Sequence, residues 1–218
     1  MERLVNNIAN SISKELKLNN DNREVIAYGM FSLFQAILSI GLVFLFALLF
    51  NVVIEALIIS FTAAILRKYS GGVHASSIPI CNLIGIIVCV VPAVFISFLI
   101  GAFGTLNLVI ILGFTAFILS YYLIYKLSPV GNMKKTIKSK EKRKRMKKGS
   151  LIVLSIYLAV VVLLITLFAI NGEKRSLVYA TCVYFGALWQ VFTITYQGKL
   201  TILKIDTLLN NILFSIRR

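Results

Sequence analysis

The sequence predicts an all-α polytopic membrane protein with six transmembrane helices and both termini in the cytoplasm. Three observations carry that expectation. The chain is 59% hydrophobic and only 14% charged, whereas soluble domains average about 25% charged residues. Mean hydropathy is +0.90, so a water-facing surface could not be covered with charge, and a soluble enzyme, a disordered tail and a coiled coil are excluded. Charge is also absent over long stretches. Glu55 is the one charged residue between Tyr28 and Ile65, and none occurs from Tyr69 to Tyr125, Gly149 to Gly172 or Ser176 to Gly198. The third observation is the distribution of Lys and Arg, which fixes orientation.

A spanning helix needs roughly 20 mostly apolar residues. Runs such as LIGIIVCVVPAVFISFLI do not alternate as a spanning strand must. Spans are expected at about 26–47, 49–66, 80–100, 106–126, 151–170 and 177–196. The first two must be divided by a tight turn near Asn51, and one long tilted helix is the competing arrangement. Basic residues favour the cytoplasmic side. With six spans and an inner N-terminus, Lys174 and Arg175 are the only basic residues outside. Five spans would put the N-terminal basic group and the large basic segment on opposite sides of the membrane.

Flanking segments complete the organisation into an interfacial helix at 1–24, a membrane domain at 25–196 and a tail at 197–218. No signal peptide is expected, because the mixed-charge N-terminus is not followed by a small-residue cleavage pattern. Leu4, Val5, Ile8, Ile12 and Leu16 recur at helical spacing among polar residues, as in a helix lying in the inner interface. The tail repeats this with Ile205, Leu208, Leu209, Ile212 and Leu213. Between the fourth and fifth spans lies a basic cytoplasmic loop, 127–149, where Lys142, Arg143, Lys144 and Arg145 form the densest run. Two partners suit it: anionic lipid headgroups, at about 1 kcal/mol per charge, or an acidic peptide drawn by the same field. Nucleic acid is not expected, for want of a recognition fold or interleaved aromatics.

Chemistry concentrates between spans two and three, in RKYSGGVHASSIPIC at 67–81, which holds the single histidine of the chain. Polar residues at membrane depth must face protein or water and are functional candidates by default. Cysteine with histidine is a minimal nucleophilic set, since an imidazole can activate a thiol. Seven residues of straight helix would hold His74 and Cys81 about 10.5 Å apart, too far for proton transfer at about 3 Å. The chain must turn back between them. Gly71 and Gly72 supply the freedom for this, and Pro79 disfavours helix at Ile78. The segment reads as irregular or re-entrant backbone leading into span three, with Cys81 in the first helical turn. Spacing alone leaves two classes open: a thiol enzyme, or a small transporter or lipid-interacting protein with a Gly/Pro-rich re-entrant loop. Cys89 and Cys182 read as buried apolar residues, and no cluster offers a metal enough ligands.

RKYSGGVHASSIPIC resembles the signature of the accessory gene regulator B family, membrane peptidases that process quorum-sensing precursors in Gram-positive bacteria. The likeness rests on Arg67, the glycine pair four positions on, His74-Ala75, and Cys81 seven residues beyond the histidine. Chain size, the amphipathic N-terminus and the basic loop fit as well. The resemblance implies a cysteine endopeptidase of the bacterial cell membrane, with Cys81 as nucleophile and His74 as its base. Arg67 matches a position important for activity or for holding the loop, and Gly72 matches the glycine two residues before the histidine. The implied substrate is a short AgrD-like precursor cut at the cytoplasmic face. The implied product is a thiolactone peptide, the implied assembly a homodimer, and no cofactor is implied. SPVGNMKKTIK departs from the pattern, because Gly131-Asn132 stand where the family carries an acid and no second proline follows; a cyclic product is therefore less secure than cleavage. For a group orienting the imidazole, Asn82 is adjacent to Cys81 but about 100° away on a helix, while Gln190, Thr193 and Thr195 lie within reach of the inner end.

Overall fold

The computed structural model describes residues 2–16, 19–72, 77–130 and 139–216. These form eight helices: α1 (Glu2–Glu15), α2 (Asn20–Leu48), α3 (Val53–Ser70), α4 (Ile78–Phe103), α5 (Leu106–Leu127), α6 (Lys140–Asn171), α7 (Lys174–Thr193) and α8 (Tyr196–Ile216). No β-strand occurs among the described residues; a parallel bridge between Gly71 and Val130 is isolated. The chain divides into two compact units, 1–42 and 43–218.

In the first unit, α1 takes the amphipathic segment that the periodicity predicts as a helix. The Asn19 side chain caps α2 by accepting from Asn22 N at 3.0 Å, and Arg23 donates to the Asn10 side chain at 3.1 Å.

The second unit begins with the last turns of α2. Phe50 N and Val52 N both turn back onto Ala47 O at 3.2 Å. Asn51 adopts φ 54°, a left-handed conformation that Asn tolerates better than most side chains. The expected turn near Asn51 is therefore present, and a single long helix is not. Among the described residues five helices are long and apolar enough to cross a membrane: α2 (over Asn22–Leu48), α4, α5, α6 and α7. Helix α3 stands outside that set because its 18 residues include Glu55, Arg67 and Lys68. Those charges sit at its two ends, and 56–66 is uncharged.

Helix α7 is the hub, packing on α3, α4, α5, α6 and α8. Its interior positions are small or buried, including Ala180, Cys182, Gly186 and Ala187. A Cβ on Gly186 would come within 2.9 Å of Ile59 O and 2.8 Å of Thr62 Cβ, so glycine is what lets the α3 and α7 backbones approach. Across the same layer Tyr157 of α6 donates to Thr62 O at 2.9 Å. Phe117 of α5 meets Tyr184 of α7 edge-on, with ring centroids 5.9 Å apart. Many large apolar side chains face outward, among them Phe95, Phe98, Phe114, Ile111 and Leu163. Water would penalise that surface and lipid does not.

The helices of this unit alternate in direction between two ends. At one end the start of α3, the end of α4 and the start of α7 line a cavity of about 410 Å³ that includes Asn51, Glu55, Gly101, Lys174 and Arg175. At the other end the termini of α3, α5 and α7 meet the first apolar turn of α6: Val130 N donates to Ser70 O at 3.0 Å, and Ser128 and Ser150 share a 3.1 Å hydrogen bond. In α8 the packed residues are Ile202 and Asp206, while Leu208 of the predicted apolar stripe is exposed.

Candidate active site

Helix α3 ends where the sequence runs out of side chains able to continue it. Gly71 takes φ 75° and ψ −151° at the C-cap, a region essentially reserved for glycine, and Gly72 follows at φ 134°. Helix α4 starts after Ser77, with Pro79 in its first turn, where a missing N–H costs nothing. Cys81 lies one turn in, and its N–H donates to Ser77 O at 3.0 Å. That donor is already used, so any oxyanion contact from this turn's backbone would come from Ile78 or Ile80, Pro79 having no N–H.

Two of the predicted site residues flank the glycine-bearing connection, Arg67 in the last turn of α3 and Cys81 at the start of α4. Arg67 and Cys81 are both partly exposed, unlike Cys89 and Cys182, which are 6% and 0% exposed. His74 lies outside the described residues, so the predicted histidine–cysteine contact has no distance here. Lys142, Arg143, Lys144 and Arg145 are exposed and belong to α6 rather than to a loop. Helix forms there because Ser139 caps it, accepting from Lys142 N at 3.3 Å, and Glu141 offsets the N-terminal dipole. Gly131 and Asn132 lie outside the described residues.

The glycine pair is held on two sides. Gly71 bridges to Val130, and a Cβ on Gly71 would collide with the Val130 carbonyl oxygen. On the other side Gln190 of α7, 1% exposed, donates from its amide nitrogen to Ser70 Oγ at 2.9 Å and to Gly71 O at 2.7 Å. A Cβ on Gly72 would sit 2.9 Å from Thr193 Oγ1 and 3.4 Å from Gln190 Nε2. Gln190 and Thr193 thus reach the predicted loop, whereas Thr195 caps α8, accepting from Gly198 N at 3.0 Å. Asn82 is buried beside Cys81. Ser70 and Val130 were not foreseen. A buried polar side chain at a helix end could have flagged Ser70; nothing could flag Val130, which acts through its backbone. Among the described residues no three His, Cys, Asp or Glu side chains gather as metal ligands.

These features define a helical membrane protein with a thiol at the start of one helix, an arginine at the end of the preceding one, and a glycine-bearing connection pinned by the hub. The family model for accessory gene regulator B matches residues 5–194. The chain is 41% identical to AgrB-like protein 2 of Clostridium perfringens (strain 13, type A) over 210 residues, 94% of this chain and 96% of that one. It is 39% identical to an AgrB-like protein of C. perfringens (strain SM101, type A) over 217 residues, 98% and 100% of the respective chains. No solved structure matches significantly. The chain belongs to the accessory gene regulator B family, and membership implies processing of a quorum-sensing precursor of the AgrD-like kind.

Proposed function

We propose that the protein is a membrane-embedded cysteine endopeptidase that cuts an AgrD-like precursor at the cytoplasmic face, with Cys81 as nucleophile and His74 as general base. The observation that carries this reading is the setting of Cys81: partly exposed at the start of α4, directly after the glycine-bearing connection, while the other two cysteines are buried. Cysteine reacts as its thiolate, and a structural cysteine buried in apolar surroundings is inert, which leaves Cys81 as the candidate of the three.

The chemistry then runs in two halves. His74 accepts the Cys81 proton, and the thiolate adds to the scissile carbonyl carbon. As the tetrahedral adduct collapses, His74 returns the proton to the departing amine, leaving a thioester on Cys81. A thiol within the bound peptide can take the acyl group and give a thiolactone; water gives a linear acid. A tethered thiol has the advantage of effective concentration, so cyclisation is the preferred exit where the precursor holds one close.

The proposed topology is six spans with both termini inside. The 18 residues of α3 extend about 27 Å, close to the roughly 30 Å of a hydrocarbon core. Its charges at both ends, and its place in the alternating series α3 to α7, support counting it as a span. Glu55 then shares the outer end with Lys174 and Arg175, and the glycine pair faces the cytoplasm. On this reading α6 carries its basic turns beyond the membrane, where the Lys142–Arg145 run meets anionic headgroups or an acidic stretch of the precursor. Homodimer assembly rests on the family resemblance alone.

The test is co-expression with precursor. Cys81→Ala and His74→Gln should both accumulate uncut precursor at unchanged abundance. Processing that survives in Cys81→Ala would remove the nucleophile and the peptidase reading with it.

A further inference from the structure

The fully buried amide of Gln190 spends both of its hydrogens on the end of α3, one on Ser70 Oγ and one on Gly71 O. Nothing in the chemistry above uses this residue. A polar side chain this deeply buried on the hub is costly unless it is paired, and here the pairing is to the end of α3 and the start of the connection that leads to His74. Its orientation follows from the acceptors: Gly71 O can only accept, so the nitrogen must face it. Thr193, the other side chain against Gly72, donates to Gln190 O at 2.8 Å and so stays within its own helix. Opposite, the bridge to Val130 closes on the same residue, Gly71. The connection is therefore gripped between α7 and the end of α5, and His74 follows Gly72 by two residues, within about 7 Å of extended chain.

We infer that Gln190 is a positioning residue for the thiol chemistry: by clamping Ser70 and Gly71 it sets where His74 enters the site relative to Cys81. This rests on the peptidase reading and adds to it a residue that touches neither substrate nor sulfur. Lost registration of about 1 Å at a reacting pair costs on the order of 100-fold in rate, with no requirement that substrate binding weaken. A residue that merely filled space would act through folding and would lower abundance, leaving KM and the rate per folded molecule unchanged.

The experiment uses the full-length protein purified in detergent with a synthetic precursor. Gln190→Met keeps the length and volume without donors; Gln190→Glu keeps the shape but sets a carboxylate oxygen against the Gly71 carbonyl, which can only accept; Ser70→Ala removes one of the two partners and leaves the Gly71 bond. Expected are a kcat lower by about 100-fold in Gln190→Met and Gln190→Glu, a KM within about twofold of the parent, and a smaller, few-fold loss in Ser70→Ala. The second readout is alkylation of Cys81 by iodoacetamide near neutral pH in a background lacking Cys89 and Cys182. In the Gln190 variants its rate should fall to that of His74→Gln. Parent-like kcat in both Gln190 variants would overturn the clamp. So would a loss confined to abundance, or a loss of kcat with parent-like Cys81 alkylation. Cleavage that persists in Cys81→Ala is a separate failure, which overturns the peptidase reading beneath it.

Discussion

Replacing Gly71 by Ala probes the connection at its most constrained point. At φ 75° and ψ −151° an L side chain is strained by roughly 1–3 kcal/mol. The added Cβ also meets the Val130 carbonyl, a backbone atom that cannot rotate aside. The cheapest escape is to open the bridge, which gives up the Val130 N to Ser70 O hydrogen bond of 3.0 Å, worth about 1 kcal/mol net. The sum, roughly 2–4 kcal/mol, falls on one contact rather than on the bundle. At 1.4 kcal/mol per decade, the opening equilibrium rises about 30- to 700-fold. Hydrogen exchange of the Val130 amide in detergent should report it as lost protection, since local opening is what exchange measures. Cleavage should fall with it, by at least about tenfold, because His74 hangs from the displaced chain. Gly85→Ala is the control: nothing lies within 4 Å of a Cβ there, so it should keep parent-like cleavage and exchange. Undiminished Val130 protection together with undiminished cleavage in Gly71→Ala would refute the account of why glycine stands at this position.

Cys89→Ala and Cys182→Ala should retain cleavage, at a stability cost of about 1 kcal/mol or less for each small buried deletion, as read by turnover at saturating precursor. In a cysteine-free background, a cysteine at Lys140 should be shielded from impermeant maleimide in intact cells and one at Glu173 should react. Both positions are exposed, whereas Ser70 is fully buried and would be a poor reporter. Rapid labelling at Lys140 from outside would overturn the six-span topology. Replacing Lys142, Arg143, Lys144 and Arg145 by Gln should raise KM and flatten its salt dependence, with kcat little changed, because exposed charges act on capture. An unchanged KM in neutral detergent would leave these residues to lipid alone.

Membrane residence was legible in the sequence because it follows from one-dimensional quantities: runs of uncharged residues as long as a bilayer is thick, and the placement of Lys and Arg. The break at Asn51, the amphipathic segments that became α1 and α8, and Cys81 in the first turn of α4 were readable for the same reason, since each depends on neighbours in the chain. The tertiary structure decided what depends on distant ones. Sequence spacing made the run Lys142–Arg145 look like a patch, but an α-helix turns about 100° per residue and spreads these four charges around its circumference. Asp206 is buried and Leu208 exposed on α8, opposite to what the hydrophobic stripe alone would assign, because α8 packs against α4 and α7. Gln190 meets Ser70 across 120 residues of chain. The glycine pair shows the division most plainly. Its presence announced an unusual backbone, yet why glycine is needed there depends on a carbonyl from α5's end and on side chains of α7, and such long-range steric contacts leave no periodicity to read.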